Sequence, residues 1–237
     1  MANTFIGRLK RFGYQGAIYP IHPTAASIDG LPAYPSLGET PEPVDYAYIA
    51  VGAARVPEIL ENAKGRCAFA QVISSGFGEV AQGVGLERAL LAAAKKGGCR
   101  VLGPNCLGLY SPRGKVTFPD SAPSEVGHVG VISQSGGLGT DIVTRGDRRG
   151  IRFSGLVTVG NSADLGPNDM LEFYLADAQT KVVGMYVEGV PDGRRFFDVL
   201  RRNAGLKPVV ILKGGRTQKG QAAAASHTGS LAGDDRV

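Results

Sequence analysis

Residues 128–139, HVGVISQSGGLG, carry the clearest indication of how this chain folds. The first half of this stretch is an apolar run that predicts a buried strand, and the second half is a turn of small residues that leads into a helix. Units of this kind build sheets of parallel strands, where ligands bind beyond the carboxyl ends of the strands. The turn and the positive end of the helix would suit a phosphate group. A tight turn without a ligand is the alternative interpretation.

The same alternation of apolar runs and helical patterns continues on both sides of this stretch. Strands are predicted at 17–21, 44–51, 68–73, 100–102, 128–133, 153–159, 182–188 and 208–212. Helices are predicted at 3–13, 55–65, 82–96, 136–149, 168–177 and 192–204. A Pro- and Gly-rich segment at 111–127 is the best candidate for a domain junction. We therefore expect an α/β protein of two consecutive Rossmann/flavodoxin-like domains with parallel sheets, at residues 1–124 and 125–237.

The two ends of the chain do not follow the usual pattern of a doubly wound domain. Such a domain normally opens with a strand and a glycine-rich turn, whereas this chain opens with a helical pattern at residues 3–13. The first domain is therefore expected to lack its opening strand. The second is expected to be incomplete at its end, because the sequence stops where a helix would begin after His227.

Composition excludes several classes of protein. The 237 residues carry a net charge of +5, but the basic residues are scattered and form no long run, which argues against a nucleic-acid partner. No apolar run approaches the length of a membrane span, and the start lacks a signal-peptide core, so a cytoplasmic protein without a membrane partner is expected. The three cysteines, without CxxC spacing, indicate neither a disulfide framework nor a metal site.

Several well-known nucleotide and hydrolase motifs are absent. The sequence has no GxxxxGK[ST] and no GxGxxG after a strand, so Walker-type and dinucleotide fingerprints are missing. It also lacks the GxSxG elbow of serine hydrolases, which disfavours serine hydrolysis.

The second half holds candidate residues for phosphate chemistry. His227 lies in the loop Ser226-His227-Thr228-Gly229-Ser230 and is a candidate to handle phosphate, although a surface histidine is the alternative. Glu188 ends an apolar strand, where a buried carboxylate needs a partner such as a histidine. An exposed glutamate at a strand end is the alternative. The predicted phosphate-binding residues are Ser133, Gln134, Ser135, Gly136 and Gly137.

In the first half, the strand ends carry segments that could line an elongated ligand groove. They include Pro23, Val51, Gly52, Ser74, Ser75, Gly76, Asn105 and Cys106. For Cys106, a buried small residue is the favoured alternative.

Six motifs in order resemble the NDP-forming acyl-CoA synthetases, the superfamily that includes the succinyl-CoA synthetase α subunit. The motifs are SSGFGE at 74–79, GPNCLG at 103–108, GVISQSGG at 130–137, YVEG at 186–189, KGGR at 213–216 and SHTGSLAG at 226–233. Each is weakly specific alone, but together they span nearly the whole chain. The resemblance implies a CoA-binding domain followed by a succinyl-CoA-synthetase-like ligase domain of flavodoxin type.

The resemblance also implies roles for the candidate residues. His227 matches the histidine that is transiently phosphorylated, Glu188 the carboxylate that orients it, and 133–137 the loop that holds phosphate. The strand-end segments of the first half match those that bind CoA, with Cys106 close to its thiol end. The implied partners are a small carboxylic acid, CoA, and an ATP-grasp domain or subunit carrying ATP or ADP with Mg²⁺, in a homo- or hetero-oligomer.

Two departures from the family pattern bear on CoA affinity. Thr24 stands where relatives often carry lysine, and Gly52 where proline is common.

Two other functions remain open. The first alternative is a non-catalytic CoA-binding regulatory module, which the SHTGS loop disfavours. The second is an inactive truncated fragment. The sequence leaves the acyl group and the choice between ADP and GDP undetermined.

Overall fold

The computed structural model describes residues 2–215 and 217 as an alternating α/β chain. The helices are α1 Ala2–Phe12, α2 Val56–Glu61, α3 Val84–Gly97, α4 Gly136–Asp147, α5 Pro167–Ala176 and α6 Gly193–Arg202. The strands of the first half are β1 Ser27–Ile28, β2 Leu31–Pro32, β3 Val44–Ile49, β4 Cys67–Val72 and β5 Arg100–Leu102. Those that follow are β6 Leu109–Tyr110, β7 Val129–Ser133, β8 Phe153–Thr158, β9 Val182–Val187 and β10 Val209–Lys213.

The first half is built around a parallel sheet in the order β3-β4-β5. Helices α2 and α3 connect its strands and share its core, in which Val56, Leu60, Val72 and Leu90 are fully buried. The prediction of parallel strands with helical connections is confirmed for this sheet. Helix α2 ends before the predicted residue 65, because the backbone takes left-handed φ angles of 51° at Lys64 and 76° at Gly65.

The predicted strand at residues 17–21 is wrong. Only Ile21 makes a bridge, to Tyr34, with hydrogen bonds that join Tyr34 to Pro20 and His22. Pro20 has no backbone N–H, and no described strand lies between this segment and β3. A cavity of about 770 Å³ lies between residues 17–21 and β3. It is lined mainly by apolar side chains of α1, residues 16–21 and β3. Among the described residues, no strand precedes Ser27 and none pairs with the outer edge of β3.

The second sheet has the strand order β10-β9-β7-β8-β6. Its first four strands are parallel, as predicted, and β7 lies at the centre between β9 and β8. Strand β6 was not predicted and pairs antiparallel with β8. It comes from the end of the first half, so the chain enters the second sheet before the predicted junction at 111–127. The division at residues 124 and 125 stays a prediction.

The two sheets are joined by a common apolar core and by direct backbone pairing. Leu102 and Cys106 from the first half pack with Ile132 and Val159 of the second. Leu102 also makes a parallel bridge to Leu165. This arrangement fixes the carboxyl ends of β5 and β8 side by side.

No helix in the described part of the chain is long and apolar enough to cross a membrane.

Gly160 lies at a close approach between the two halves and leads to a stability prediction. Its φ is +52°, and a Cβ there would lie 2.3 Å from the Pro104 carbonyl oxygen and 2.5 Å from that of Asn105. We expect Gly160→Ala to lower the free energy of unfolding by about 2–4 kcal/mol, measured by urea denaturation. The matched control is Gly193→Ala at the start of α6, where a Cβ meets nothing within 4 Å. Equal stability of the two variants would contradict this account of the contact.

Candidate active site

The second-half site is formed where the carboxyl ends of β7 and β9 meet the start of α4. Ser133 ends β7, Ser135 is the N-cap of α4, and its Oγ accepts a hydrogen bond from Leu138 N at 3.3 Å. Gly136 and Gly137 form the first turn of the helix, where backbone N–H groups lack partners within the helix. Gly137 is exposed, and a Cβ there would meet nothing within 4 Å. The arrangement offers a positive helix end to an anion.

The side chains of Ser133 and Gln134 have internal partners. Ser133 is fully buried, and its Oγ donates to the Ser135 carbonyl at 2.6 Å. Gln134 is 4% exposed, and its Oε1 accepts hydrogen bonds from the backbone N–H groups of Glu188 and Gly189. Both side chains therefore stabilise the site's shape, and the N–H groups at the start of α4 are better placed to meet phosphate.

Glu188 lies beside this helix start, at the end of β9. It is 5% exposed, and its Oε1 accepts a hydrogen bond of 3.0 Å from the Tyr186 hydroxyl. Lys213 Nζ donates to the Glu188 carbonyl at 2.9 Å and to the Gly214 carbonyl at 2.7 Å. The Glu188 side chain is therefore buried at a strand end rather than exposed. His227, its predicted partner, lies outside the described residues.

Tyr186 and Lys213 are the residues of this site to which sequence reasoning assigned no role. They begin the YVEG and KGGR motifs, but nothing in a strand pattern shows that Tyr186 reaches a carboxylate two residues on. Their residue type was the available signal, since a partly buried tyrosine or lysine in a strand needs hydrogen-bond partners for its polar end. Together they support Glu188 from its side chain and its backbone.

Tyr186 gives a prediction for alkaline pH. Burial and the hydrogen bond to Glu188 raise the pKa of Tyr186 from 10.0 to about 12. Because the pKa is higher in the folded state, this contribution to stability is present below pH 10 and is lost as pH rises towards 12. We expect the free energy of unfolding to fall less steeply over this range in Tyr186→Phe than in the unsubstituted chain, measured by urea denaturation. Parallel curves would contradict the assignment.

In the first half, the structure brings several predicted CoA-binding residues together. The Ser74 hydroxyl donates to the Val51 carbonyl, and Asn105 N donates to the Ser74 carbonyl at 2.9 Å. Gly76, with a φ of +103°, lies beside Ala53, the neighbour of Gly52. The carboxyl ends of β3, β4 and β5 thus present one continuous edge of short polar side chains and backbone groups. Ser75 and Gly52 are exposed along it.

Pro23 and Cys106 differ from the other members of this set. Pro23 is exposed in the loop after Ile21. Cys106 is 2% exposed, and its thiol donates to the Thr158 carbonyl at 2.7 Å. Burial raises the pKa of this thiol to about 12, so it stays protonated at neutral pH. Cys106 therefore packs the joint between the halves, the alternative that the sequence also favoured.

The two predicted sites are adjacent. Leu107 follows the predicted CoA segment, and its side chain lies against Gly136, where a Cβ would be 2.5 Å from Leu107 Cδ1. Thr158 Oγ1, at the end of β8, donates to the Gly108 carbonyl and accepts from Gly108 N, both at 2.8 Å. The end of the predicted CoA edge thus contacts the start of α4. A thioester held along that edge could reach an anion at the helix start.

Family models cover most of the chain in two parts. The model of a CoA binding domain matches residues 1–112, and that of a succinyl-CoA ligase like flavodoxin domain matches residues 126–237. These ranges leave residues 113–125 between them.

Curated relatives are acyl-CoA ligases. Acetate–CoA ligase [ADP-forming] II of Archaeoglobus fulgidus is 43% identical over 98% of this chain and 35% of its own length. Acetate–CoA ligase [ADP-forming] I subunit alpha of Pyrococcus furiosus is 42% identical over 97% of this chain and 51% of its own length. The chain thus spans about a third to a half of these relatives.

A solved structure agrees with these matches. Dinucleotide forming acetyl-coenzyme A synthetase 1 of Ca. Korarchaeum cryptofilum, in complex with phosphate and ADP, superposes with a TM-score of 0.87 and 40% identity. The match covers 97% of this chain and 50% of that one. On the two family models, the relatives and this structure, the chain belongs to the NDP-forming acyl-CoA synthetase family.

Proposed function

We propose that this chain is the CoA-binding and phosphohistidine-carrying part of an acyl-CoA ligase. The overall reaction is acid plus CoA plus nucleoside triphosphate in equilibrium with acyl-CoA, nucleoside diphosphate and phosphate. The observation that carries the proposal is the contact between Leu107 and Gly136, which joins the CoA edge to the start of α4. A thioester and a phosphate bound at these two places would lie next to each other.

In the direction of thioester cleavage, the first step joins phosphate to the acyl group. An oxygen of phosphate attacks the thioester carbonyl, the C–O bond forms, and the C–S bond breaks to release CoA. The N–H groups of Gly136 and Gly137 would offset the charge of the phosphate oxygens. The protonated thiol of Cys106 is too weak a nucleophile to compete for the acyl group.

The second step transfers the phosphoryl group to His227. A neutral imidazole nitrogen attacks phosphorus, the P–N bond forms, and the P–O bond to the carboxylate breaks, which releases the acid. Glu188 would accept a hydrogen bond from the other ring nitrogen, which fixes the ring's orientation and favours the tautomer needed for attack. The support for this role is the burial of Glu188 beside the start of α4.

Turnover would require a nucleotide site that we assign to a partner. The proposed acceptor of the phosphoryl group is ADP, held with Mg²⁺ on an ATP-grasp domain or subunit. A separate subunit is supported by the Pyrococcus furiosus relatives, whose names describe alpha subunits. The complex would then be a hetero-oligomer.

The proposed second substrate is a small carboxylic acid. Acetate appears in the names of several relatives, but those at 35% identity are a 4-hydroxybutyrate–CoA ligase and a trans-feruloyl-CoA synthase. The acid named therefore differs among these relatives. Acetyl-CoA is the probe of choice.

The test is release of CoA from acetyl-CoA in phosphate buffer, followed with a thiol reagent. We expect at most one equivalent of CoA per chain, and continued release only when ADP, Mg²⁺ and the ATP-grasp subunit of a relative are added. Calorimetric binding of CoA without any release of thiol under these conditions would favour a regulatory module. Neither binding nor release would support the inactive fragment.

A further inference from the structure

We propose that Asn161 is a positioning residue that holds the CoA-binding turn at residues 74–78 in place through Glu79 and Glu87. The inference rests on the proposed function, since it concerns the same CoA edge. It assigns a role to three polar side chains that lie behind that edge and that the mechanism above does not use.

One amide group joins the two carboxylates. Asn161 lies in the loop after β8, and its Nδ2 donates to Glu79 Oε2 at 2.5 Å and to Glu87 Oε2 at 3.2 Å. Both glutamates belong to the first half of the chain, so the contact spans the joint between the two sheets. An amide nitrogen has two protons, which matches its two acceptors here.

The two carboxylates in turn hold the backbone of the turn. Glu79 accepts hydrogen bonds from Gly76 N and from Phe77 N, the latter at 3.1 Å. Glu87 accepts from Gly78 N at 3.1 Å. Three successive N–H groups therefore depend on two side chains that share one donor. The turn's shape is linked to Asn161 through the two glutamates, without a hydrogen bond between Asn161 and the predicted CoA-binding residues 74–76.

Asn161 also contacts the other CoA segment. Its Oδ1 accepts a hydrogen bond from Asn105 Nδ2 at 3.4 Å, and its backbone N–H donates to the Pro104 carbonyl at 3.0 Å. A single residue of the second half therefore connects the segments that follow β4 and β5. Since a ligand along this edge must meet both segments at once, their relative position affects its affinity.

The charges explain why an uncharged donor is needed at this position. Burial acts to raise the pKa of Glu79, but hydrogen bonds from Asn161, Gly76 and Phe77 outweigh it and lower the pKa. A carboxylate at position 161 would face both Glu79 and Glu87 and repel them. Farther along the same loop, Asp164 is already paired with Arg100, at 2.9 Å, so this arginine would not offset the new charge.

The test uses CoA binding by the chain, measured by calorimetry, for Asn161→Ala and Asn161→Asp. We expect the Kd for CoA to rise about tenfold in Asn161→Ala, the usual effect of losing a hydrogen bond to a charged group, and further in Asn161→Asp. The ratio of the Asn161→Asp Kd to that of the unsubstituted chain should fall as pH is lowered from 8 to 5. A protonated aspartic acid can again donate to Glu79 or Glu87.

Two further variants separate positioning from a general loss of structure. Glu79→Gln keeps the volume but replaces one acceptor oxygen with an amide group, so it should weaken CoA binding while thermal unfolding remains a single cooperative transition. Asn62→Asp makes the same change of charge at the end of α2, at the opposite edge of the sheet, and should bind CoA normally. At saturating acetyl-CoA, the rate of CoA release by Asn161→Ala should stay within about threefold of the unsubstituted rate, because affinity alone is affected.

The outcomes distinguish this inference from the function on which it rests. If the unsubstituted chain binds no CoA, the proposed function fails and the inference with it. If that chain binds CoA and both Asn161 variants bind within twofold of it, only the inference is overturned. A ratio for Asn161→Asp that does not change with pH would also overturn it.

Discussion

Gly137→Asp is expected to stop formation of the phosphoenzyme without lowering stability. A Cβ at Gly137 meets nothing within 4 Å, so the side chain fits. An aspartate in the first turn of α4 interacts favourably with the helix dipole, which would leave stability unchanged or raise it by up to about 1 kcal/mol. The same charge occupies the place proposed for phosphate, and we expect labelling by radioactive phosphate with acetyl-CoA to slow by at least about 100-fold.

The control for this variant is Gly137→Ala. It adds an uncharged Cβ at the same position, and we expect the rate of labelling by radioactive phosphate to be close to that of the unsubstituted chain. Thermal unfolding of both variants shows whether the helix is intact. Labelling of Gly137→Asp at the ordinary rate would mean that phosphate does not approach the start of α4.

The second large effect is expected for Glu188→Gln. Glutamine has the same volume and can still accept the hydrogen bond from Tyr186, so the fold should be kept. The loss of the negative charge removes the group that would orient His227 and stabilise its positive charge. We expect phosphorylation to slow by about 10²- to 10⁴-fold, the range for loss of a carboxylate that orients a catalytic histidine. Rapid-quench measurement of the labelled protein gives the rate.

The matched control for this variant is Glu58→Gln, at an exposed position on α2. It removes the same charge from the first half and should leave phosphorylation unchanged. CoA affinity, measured by calorimetry, should be the same in both variants. A normal phosphorylation rate in Glu188→Gln would remove the carboxylate from the mechanism.

Strands with a continuous buried face could be predicted from the sequence to within a residue or two. Strand β7 was expected at 128–133 and lies at 129–133, because its apolar run is buried on both faces of a central strand. Residues 17–21 have a similar apolar content, yet they form no strand, since a strand also requires a neighbour to pair with. Strand β6 has two residues, too few to produce a pattern.

Side-chain roles were harder to predict than strands, because they depend on contacts that are distant in sequence. Gln134 was predicted to bind phosphate, whereas its amide oxygen meets the backbone of Glu188, 54 residues later. The sequence assigned no role to Asn161, whose two carboxylate partners lie 82 and 74 residues earlier. Glu188 was easier, since a carboxylate at the end of an apolar strand is unusual in itself.

The most direct test of the account is to find which residue accepts phosphate. The chain is incubated with acetyl-CoA and radioactive orthophosphate, digested under alkaline conditions, and the labelled peptide is sequenced. We predict an acid-labile, base-stable label on the peptide that contains His227, and none in His227→Ala. Label on another residue, equal labelling of His227→Ala, or no label in a chain that binds CoA would contradict the proposed function.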